Sequence, residues 1–332
     1  EPPPMTSVVL TILFSILLVG CYLRFARLRQ IVDIPNDRSS HSTPTPHGGG
    51  VALFTAFILG LVLSAWLYGG WGESYTLPVV AAVLLMALGI IDDLWRLSVR
   101  LRLGLYSLVC LLIAVTLLRD GMTESPVLAW TLMPLAALVM LWSLNLFNFM
   151  DGIDGLVAIQ TILACGCAAL LSSGAGHEEH YAQFCLLLAA AHGGFLVWNW
   201  PPAKLFMGDA GSIPTGFLLA ALAILGGVQG QLNPLCWLIL LAVFVADASW
   251  TLMWRIRTGQ AFTQPHRLHA YQRLSRYWGS HLKVDLLLVV ITLVWLLPFA
   301  WAAQLWPQYS PILVILAYLP LLWGIAEIGR LE

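Results

Sequence analysis

Eleven apolar runs divide the chain, each near the length that crosses about 30 Å of hydrocarbon. They lie at roughly 6–25, 50–69, 77–92, 103–118, 127–147, 156–172, 183–200, 213–230, 233–254, 285–304 and 310–327. The runs are continuous, whereas a membrane barrel alternates apolar and polar residues in short segments. Only 10% of residues are charged, against about 25% in soluble domains, and mean hydropathy is +0.83. The expected fold is an all-α polytopic membrane protein of about eleven transmembrane helices.

Charge sets the expected orientation. With the N-terminus outside, fifteen of the sixteen Lys and Arg residues fall on the cytoplasmic side, and Arg119 alone falls outside. The N-terminus is therefore expected in the periplasm and the C-terminus in the cytoplasm. Glu1–Pro4 precede Met5 and are set aside as a remnant outside the native chain. Leu18-Val19-Gly20-Cys21 resembles a lipoprotein cleavage site, but the cations follow the apolar run instead of preceding it, so an uncleaved first helix is expected. All six cysteines lie in apolar runs, which suits small buried residues better than disulfides or metal ligands.

The unusual polar residues gather on the expected cytoplasmic side. Asn145, Asn148, Asp151 and Asp154 recur every three residues, so on a helix they share roughly one face. Carboxylates and amides at the mouth of a membrane helix are costly unless paired, hydrated or bound to a cation. Asp92 and Asp93 sit at the C-terminal end of a helix, where both repel the dipole, with Arg96 as a possible partner in a solvated cap. Asp209 stands in Gly208-Asp-Ala-Gly-Ser212, ahead of another apolar run. It is an anion favoured by a helix N-terminus or a plain cap. The first cytoplasmic loop ends in Pro46-His47-Gly48-Gly49-Gly50, a backbone suited to phosphate. The longest carries His266, Arg267, His269 and Arg273, a basic and donor-rich patch. His192 and His281 have no such company. Asp247 either lines the site or pairs internally. His177, Glu178, Glu179 and His180 make an outer cluster best read as a solvated loop.

Acids held beside amide oxygens suit Mg²⁺, which takes one or two carboxylates plus substrate phosphate and water. Basic residues beside them suit a phosphate-rich substrate. No Cys or His set has zinc spacing.

The chain resembles the polyprenyl-phosphate N-acetylhexosamine-1-phosphate transferases, which include bacterial O-antigen initiators and the phospho-MurNAc-pentapeptide translocase. The resemblance rests on Asp33-Ile-Pro-Asn-Asp-Arg38 with His41 and Gly48-Gly49, on Asp92-Asp93, on Asn145-x-x-Asn148-x-x-Asp151-Gly-x-Asp154-Gly, on Asn199 with Phe206-Met-Gly-Asp209-Ala-Gly-Ser, and on the His-rich fifth loop. It implies transfer of an N-acetylated amino-sugar-1-phosphate from a UDP-sugar to undecaprenyl phosphate, releasing UMP, the first step of O-antigen or related envelope-glycan synthesis. It implies one domain over 5–332 in the bacterial inner membrane, with a cytoplasmic site built from loops 27–49, 92–102, 145–156, 199–212 and 255–284.

Carried over by position, Asp209 and Asn148 would hold Mg²⁺, with Mn²⁺ a candidate substitute. Asp92, Asp93, Asp151 and Asp154 would be the catalytic acids. The first pair would hold the lipid phosphate, and the second would join Gly152, Ile153, Asn199 and Phe206 around uridine. His41, Thr45, His47, Lys204, His266, Arg267 and His269 complete the expected substrate contacts. Partners are the carrier lipid, a UDP-amino sugar (UDP-FucNAc, UDP-QuiNAc or UDP-GlcNAc) and membrane lipid, with room for a homodimer and no nucleic acid.

Two departures stand out. His47 occupies a place where the family often has Arg or Lys, and Tyr271-Gln272 replaces a usual His pair. His269-Ala-Tyr-Gln272 most resembles initiators that use 6-deoxy amino sugars. Three other classes fit less well. An intramembrane aspartyl protease needs a second Asp facing Asp209 within the membrane. A CDP-alcohol phosphotransferase needs an Arg that Asp154-Gly-Leu-Val-Ala-Ile159 lacks. A transporter predicts polar residues near mid-membrane and internal repeats.

Overall fold

The computed structural model describes residues 5–35, 43–69, 72–95, 97–119, 125–172, 180–260 and 266–330. The helices follow the apolar runs: α1 (Met5–Leu28), α2 (Gly50–Tyr68), α3 (Thr76–Trp95), α4 (Val99–Leu118), α5 (Pro126–Met150), α6 (Leu156–Ser172), α7 (His180–Asn199), α8 (Asp209–Val228), α9 (Pro234–Leu240), α10 (Ala242–Arg257), α11 (Ala270–Trp278), α12 (His281–Leu305) and α13 (Ser310–Ile328). Among the described residues, nine spans are long and apolar enough to cross a bilayer, or ten if the bent pair α9–α10 counts as one. The number differs from the expected eleven because α6 is a shorter apolar helix and α9–α10 is broken by 73°. The architecture is helical except for a two-residue antiparallel ladder, β1 (Val32–Asp33) against β2 (Thr45–Pro46), pairing Val32 with Pro46 and Asp33 with Thr45.

The break in α9–α10 is compensated by side chains. The Leu240 carbonyl accepts from Gln160 Nε2 at 3.1 Å and the Leu238 carbonyl from the Tyr318 hydroxyl at 2.8 Å. Backbone groups freed inside apolar surroundings must find such partners. Pro234 opens α9 behind an Asn233 cap, whose side chain accepts from the Leu235 N–H at 3.0 Å.

α8 forms the axis. It packs on α2, α3, α4, α5, α6 and α9, and 78% of its apolar span is buried, against 6% for α13. The start of α2 crosses the start of α8 at Gly50 and Gly211, where a Cβ on Gly50 would collide with the Gly211 backbone. The residue that begins the axial helix is Asp209.

All six cysteines are free. Five are buried as expected, and Cys21 is exposed on the outer side of α1. His192 lies in the core, bonded to the Leu188 carbonyl at 2.9 Å and the Thr215 hydroxyl at 3.0 Å.

Candidate active site

The backbone ahead of α8 is laced to the start of α2. The Phe206 N–H donates to Pro46 O (2.8 Å), Gly49 N–H to Phe206 O (2.9 Å) and Gly50 N–H to Met207 O (3.0 Å). Tyr22 fixes the same loop by donating to the His47 carbonyl at 3.1 Å. His47 thereby lies close enough to Asp209 for their charges to interact. Thr45 is buried, and its hydroxyl donates to the Thr43 carbonyl at 3.0 Å. His41 lies outside the described residues, as do His177, Glu178 and Glu179.

Four acids from three loops meet at the Asp209 end of α8. Asn148 Nδ2 donates to Asp209 Oδ1 at 2.7 Å, with Ser212 Oγ a longer contact at 3.4 Å. Asp92 is engaged at both oxygens: Oδ1 accepts from the Leu97 N–H at 2.9 Å, and Oδ2 lies 2.5 Å from Arg102 Nη1. The same nitrogen is 3.8 Å from Asp209 Oδ2. Arg102 thus bridges the acids that end α3 and begin α8. Asp93 is exposed, with no hydrogen-bond partner among the described residues, and lies within electrostatic reach of Asp92 and Asp209. Asp151, just past α5, accepts from the Gly208 N–H. Enclosure by protein and the charges of Asp209 and Asp154 push its carboxyl up to about 7, against the pull of that N–H.

The expected uridine-pocket residues form a brace. Gly155 N–H donates to Asn199 Oδ1 at 2.9 Å, and Asn199 Nδ2 donates to the Leu205 carbonyl at 2.9 Å. Asp154 Oδ2 accepts from the Ala203 N–H at 3.0 Å and lies 3.1 Å from His281 Nδ1. Asp154 and Asn199 therefore lock the 152–155 turn onto the loop before α8. Ile153 is buried beside them, Phe206 is half-buried, and Lys204 is exposed, with its ammonium 5.8 Å from the Trp198 ring. Among the described residues, Asn145 donates only to Leu141, one turn earlier in its own helix, at 2.7 Å.

The fifth loop departs from the expected basic patch. Asp247 pairs internally: Oδ1 accepts from the Ala270 N–H (2.9 Å) and the Thr251 hydroxyl (3.2 Å), and Oδ2 from the Tyr271 N–H (3.1 Å). It caps α11 from a distance and holds His269 Nδ1 at 3.3 Å. His266 packs on His269 with ring centroids 4.9 Å apart. Burial, with His269 and Arg255 nearby, pushes His266 down to about 4, so it is a neutral donor or acceptor at pH 7. Arg267 is half-buried, and its carbonyl accepts from Arg276. Tyr271 reaches from α11 to α5, donating to the Phe149 carbonyl at 3.0 Å, and its hydroxyl occupies the space a Cβ on Gly152 would need.

A glycosyl transferase family 4 model matches residues 75–227, the stretch that carries all four clustered acids. A decaprenyl-phosphate N-acetylglucosaminephosphotransferase of Mycolicibacterium smegmatis is 31% identical, over 77% of this chain and 71% of its own length. The chain belongs to glycosyl transferase family 4. This family 4 transferase is an enzyme of the glycosyl-1-phosphate transferase type. It is also similar to a probable undecaprenyl-phosphate N-acetylglucosaminyl 1-phosphate transferase of Bacillus subtilis (28% identical over 83% of this chain and 78% of that protein). A phospho-N-acetylmuramoyl-pentapeptide-transferase of Acetivibrio thermocellus is 28% identical over 76% of this chain and 79% of its own.

Sequence reasoning missed Arg102, Ser212, His281 and Tyr271 in this family 4 transferase. Arg102 stands ten residues beyond Asp92 and across a helix junction. His281 is 127 residues from Asp154. Neither spacing carries a local signal.

Proposed function

We propose that the protein transfers an N-acetylated amino-sugar-1-phosphate from a UDP-sugar to undecaprenyl phosphate, giving undecaprenyl-diphosphate-sugar and UMP. The placement is the bacterial inner membrane with the site toward the cytoplasm, as the arginine distribution favours. The pathway is initiation of O-antigen or a related envelope glycan. The observation that carries this reading is the cluster of Asp92, Asp93, Asp151 and Asp209 at the start of the axial helix, with Arg102 bridging Asp92 and Asp209.

The cluster holds more negative charge than its described cations offset, which fits a divalent ion. Among the described residues, no group of three or more His, Cys, Asp or Glu side chains is placed to hold a metal ion. Mg²⁺ here would therefore rest on one or two protein ligands, with water and substrate phosphate completing its shell. Asp209, with the amide oxygen of Asn148, would hold it. When bound, Mg²⁺ supplies neutralisation of phosphate oxygens as UMP leaves.

Chain residues divide the remaining work. An oxygen of the lipid phosphate attacks the donor phosphorus that bears the sugar, and the bond from that phosphorus to the UMP oxygen breaks. A phosphate monoester has a second pKa near 6, so the nucleophile is largely dianionic at neutral pH and needs orientation more than deprotonation. Asp93, exposed and without a hydrogen-bond partner among the described residues, is placed to orient it. Asp92, held by Arg102 and Leu97, positions that arginine instead. Asp151 and the braced 152–155 turn face the nucleotide. Lys204, His47, Arg267 and the neutral His266 are the available phosphate and sugar contacts.

The test incubates purified protein with undecaprenyl phosphate, Mg²⁺ and UDP-GlcNAc, UDP-FucNAc or UDP-QuiNAc, and measures UMP. Release with one donor supports the reading and names the sugar. No UMP with any of them overturns it.

A further inference from the structure

Away from the acids, three cavities lie against α13, the long helix least covered by the rest of the protein, and two of them adjoin. One, of about 290 Å³, sits at the end of α13 and is edged by Arg273 and Arg330 over a floor that includes Trp250 and Trp254. The second, of about 360 Å³, runs under α10 past Met253 and reaches Tyr318 and Leu322 farther along α13. Trp250 and Trp254 line both. From Tyr318 to the end of α13 at Ile328 the helix rises roughly 15 Å. The pair therefore forms one site with cations at the membrane boundary and an apolar trough beneath.

We propose that this trough retains one anionic phospholipid, its phosphate against Arg273 and Arg330 and an acyl chain along α10 and α13. Basic pockets between helix ends beside interfacial tryptophans have the chemistry of an anionic headgroup site. Arg273 is fixed in place, since it donates to the Leu268 carbonyl at 3.1 Å and the Gly329 carbonyl at 3.0 Å. Arg330 pairs with Glu327 at 2.7 Å. That pair is exposed, and such surface pairs contribute little, so a phosphate can displace the carboxylate. A bilayer coats α13 in any case. The concavity with a cationic rim separates a retained lipid from the general coat.

The substrate lipid is a poorer occupant. Thr251 and Ala270 line the first cavity, and both bond to Asp247 on its inner side. Asp247, paired with His269, thus backs the wall of this trough, and a phosphate held here braces the fifth loop without entering the acid cluster.

The test strips lipid from the purified full chain in a neutral maltoside. Phosphatidylglycerol, phosphatidylcholine, undecaprenyl phosphate or inorganic phosphate is then added, and bound lipid is read by native mass spectrometry alongside the melting temperature. Phosphatidylglycerol is expected to be retained and to raise the melting temperature, with phosphatidylcholine at least tenfold weaker. Arg330→Gln should weaken phosphatidylglycerol retention about fivefold, the equivalent of ~1 kcal/mol for one interfacial cation. Trp254→Ala should weaken it as well, which keeps the test open if Arg273→Gln fails to fold. Equal retention of both phospholipids, an unchanged Arg330→Gln and Trp254→Ala, displacement by undecaprenyl phosphate, or the same shift from inorganic phosphate alone would each overturn the proposal.

Discussion

Asn148 donates an amide hydrogen to Asp209 across 2.7 Å, tying the last turn of α5 to the first residue of α8. The contact leaves the second oxygen of Asp209 3.8 Å from Arg102 Nη1, which also holds Asp92 of α3. Asp209→Asn should therefore lower turnover by about a hundredfold or more, the scale of losing a group aimed at reacting phosphate. Its Mg²⁺ dependence should move to higher concentration. UMP release against Mg²⁺ measures both, and full activity with an unchanged Mg²⁺ curve would remove Asp209 from metal binding.

Arg102 and Asp92 should behave as a unit. Each single change, Arg102→Gln or Asp92→Asn, leaves a half-buried charge or donor without its partner. Each should cost about 1–3 kcal/mol of stability and a large share of activity. The double variant should lose much less than the sum of the two. Asp93→Asn should instead keep the melting temperature and lose rate with donor at saturation. Additive stability losses at Asp92 and Arg102 would dissolve the pair.

Tyr271 bridges the fifth loop and the turn after α5 through one hydroxyl. Tyr271→Phe removes that bond together with the hydroxyl's hydrogen bonds to Gln272 and the Gly152 backbone, at a cost of about 1–2 kcal/mol. With the turn facing the nucleotide as proposed, KM for the UDP-sugar should rise several-fold while kcat changes little. A change confined to kcat would assign the hydroxyl to the reaction step.

The Asp151 carboxyl, raised to about 7, gives the folded chain a proton that the unfolded chain has already lost above about 4. Its contribution to stability is therefore complete below about 4 and disappears as pH rises through about 7. Without metal, the melting temperature should fall between pH 5 and pH 8. Asp151→Asn should flatten that slope, and a slope left intact by the variant would place its origin elsewhere.

The membrane spans were legible because hydropathy acts locally, and their ends follow the apolar runs within a few residues. The break after Leu240 was not, since the sequence stays apolar across it and the donors that permit it, Gln160 and Tyr318, come from other helices. The acids were legible as unusual charges in apolar surroundings. Which of them is already occupied was not. Asp92 and Asp93 are adjacent and identical in type, and only the fold gives Arg102 to one and, among the described residues, no hydrogen-bond partner to the other. The fifth loop shows the same limit, because His266 and His269 suggest a cationic patch until Asp247 and burial are taken into account.

The bend between α9 and α10 has a consequence for how such an enzyme can diversify. It carries Asp247, and through it His269 and Tyr271, sideways onto the end of α5, while the acid cluster is framed by α2 to α8. The two groups of residues thus belong to separate stretches of chain that meet along residues 149–155, through Tyr271 and His281. Exchanging residues 234–330 between relatives would alter one stretch as a block, with the acid cluster left in its original frame.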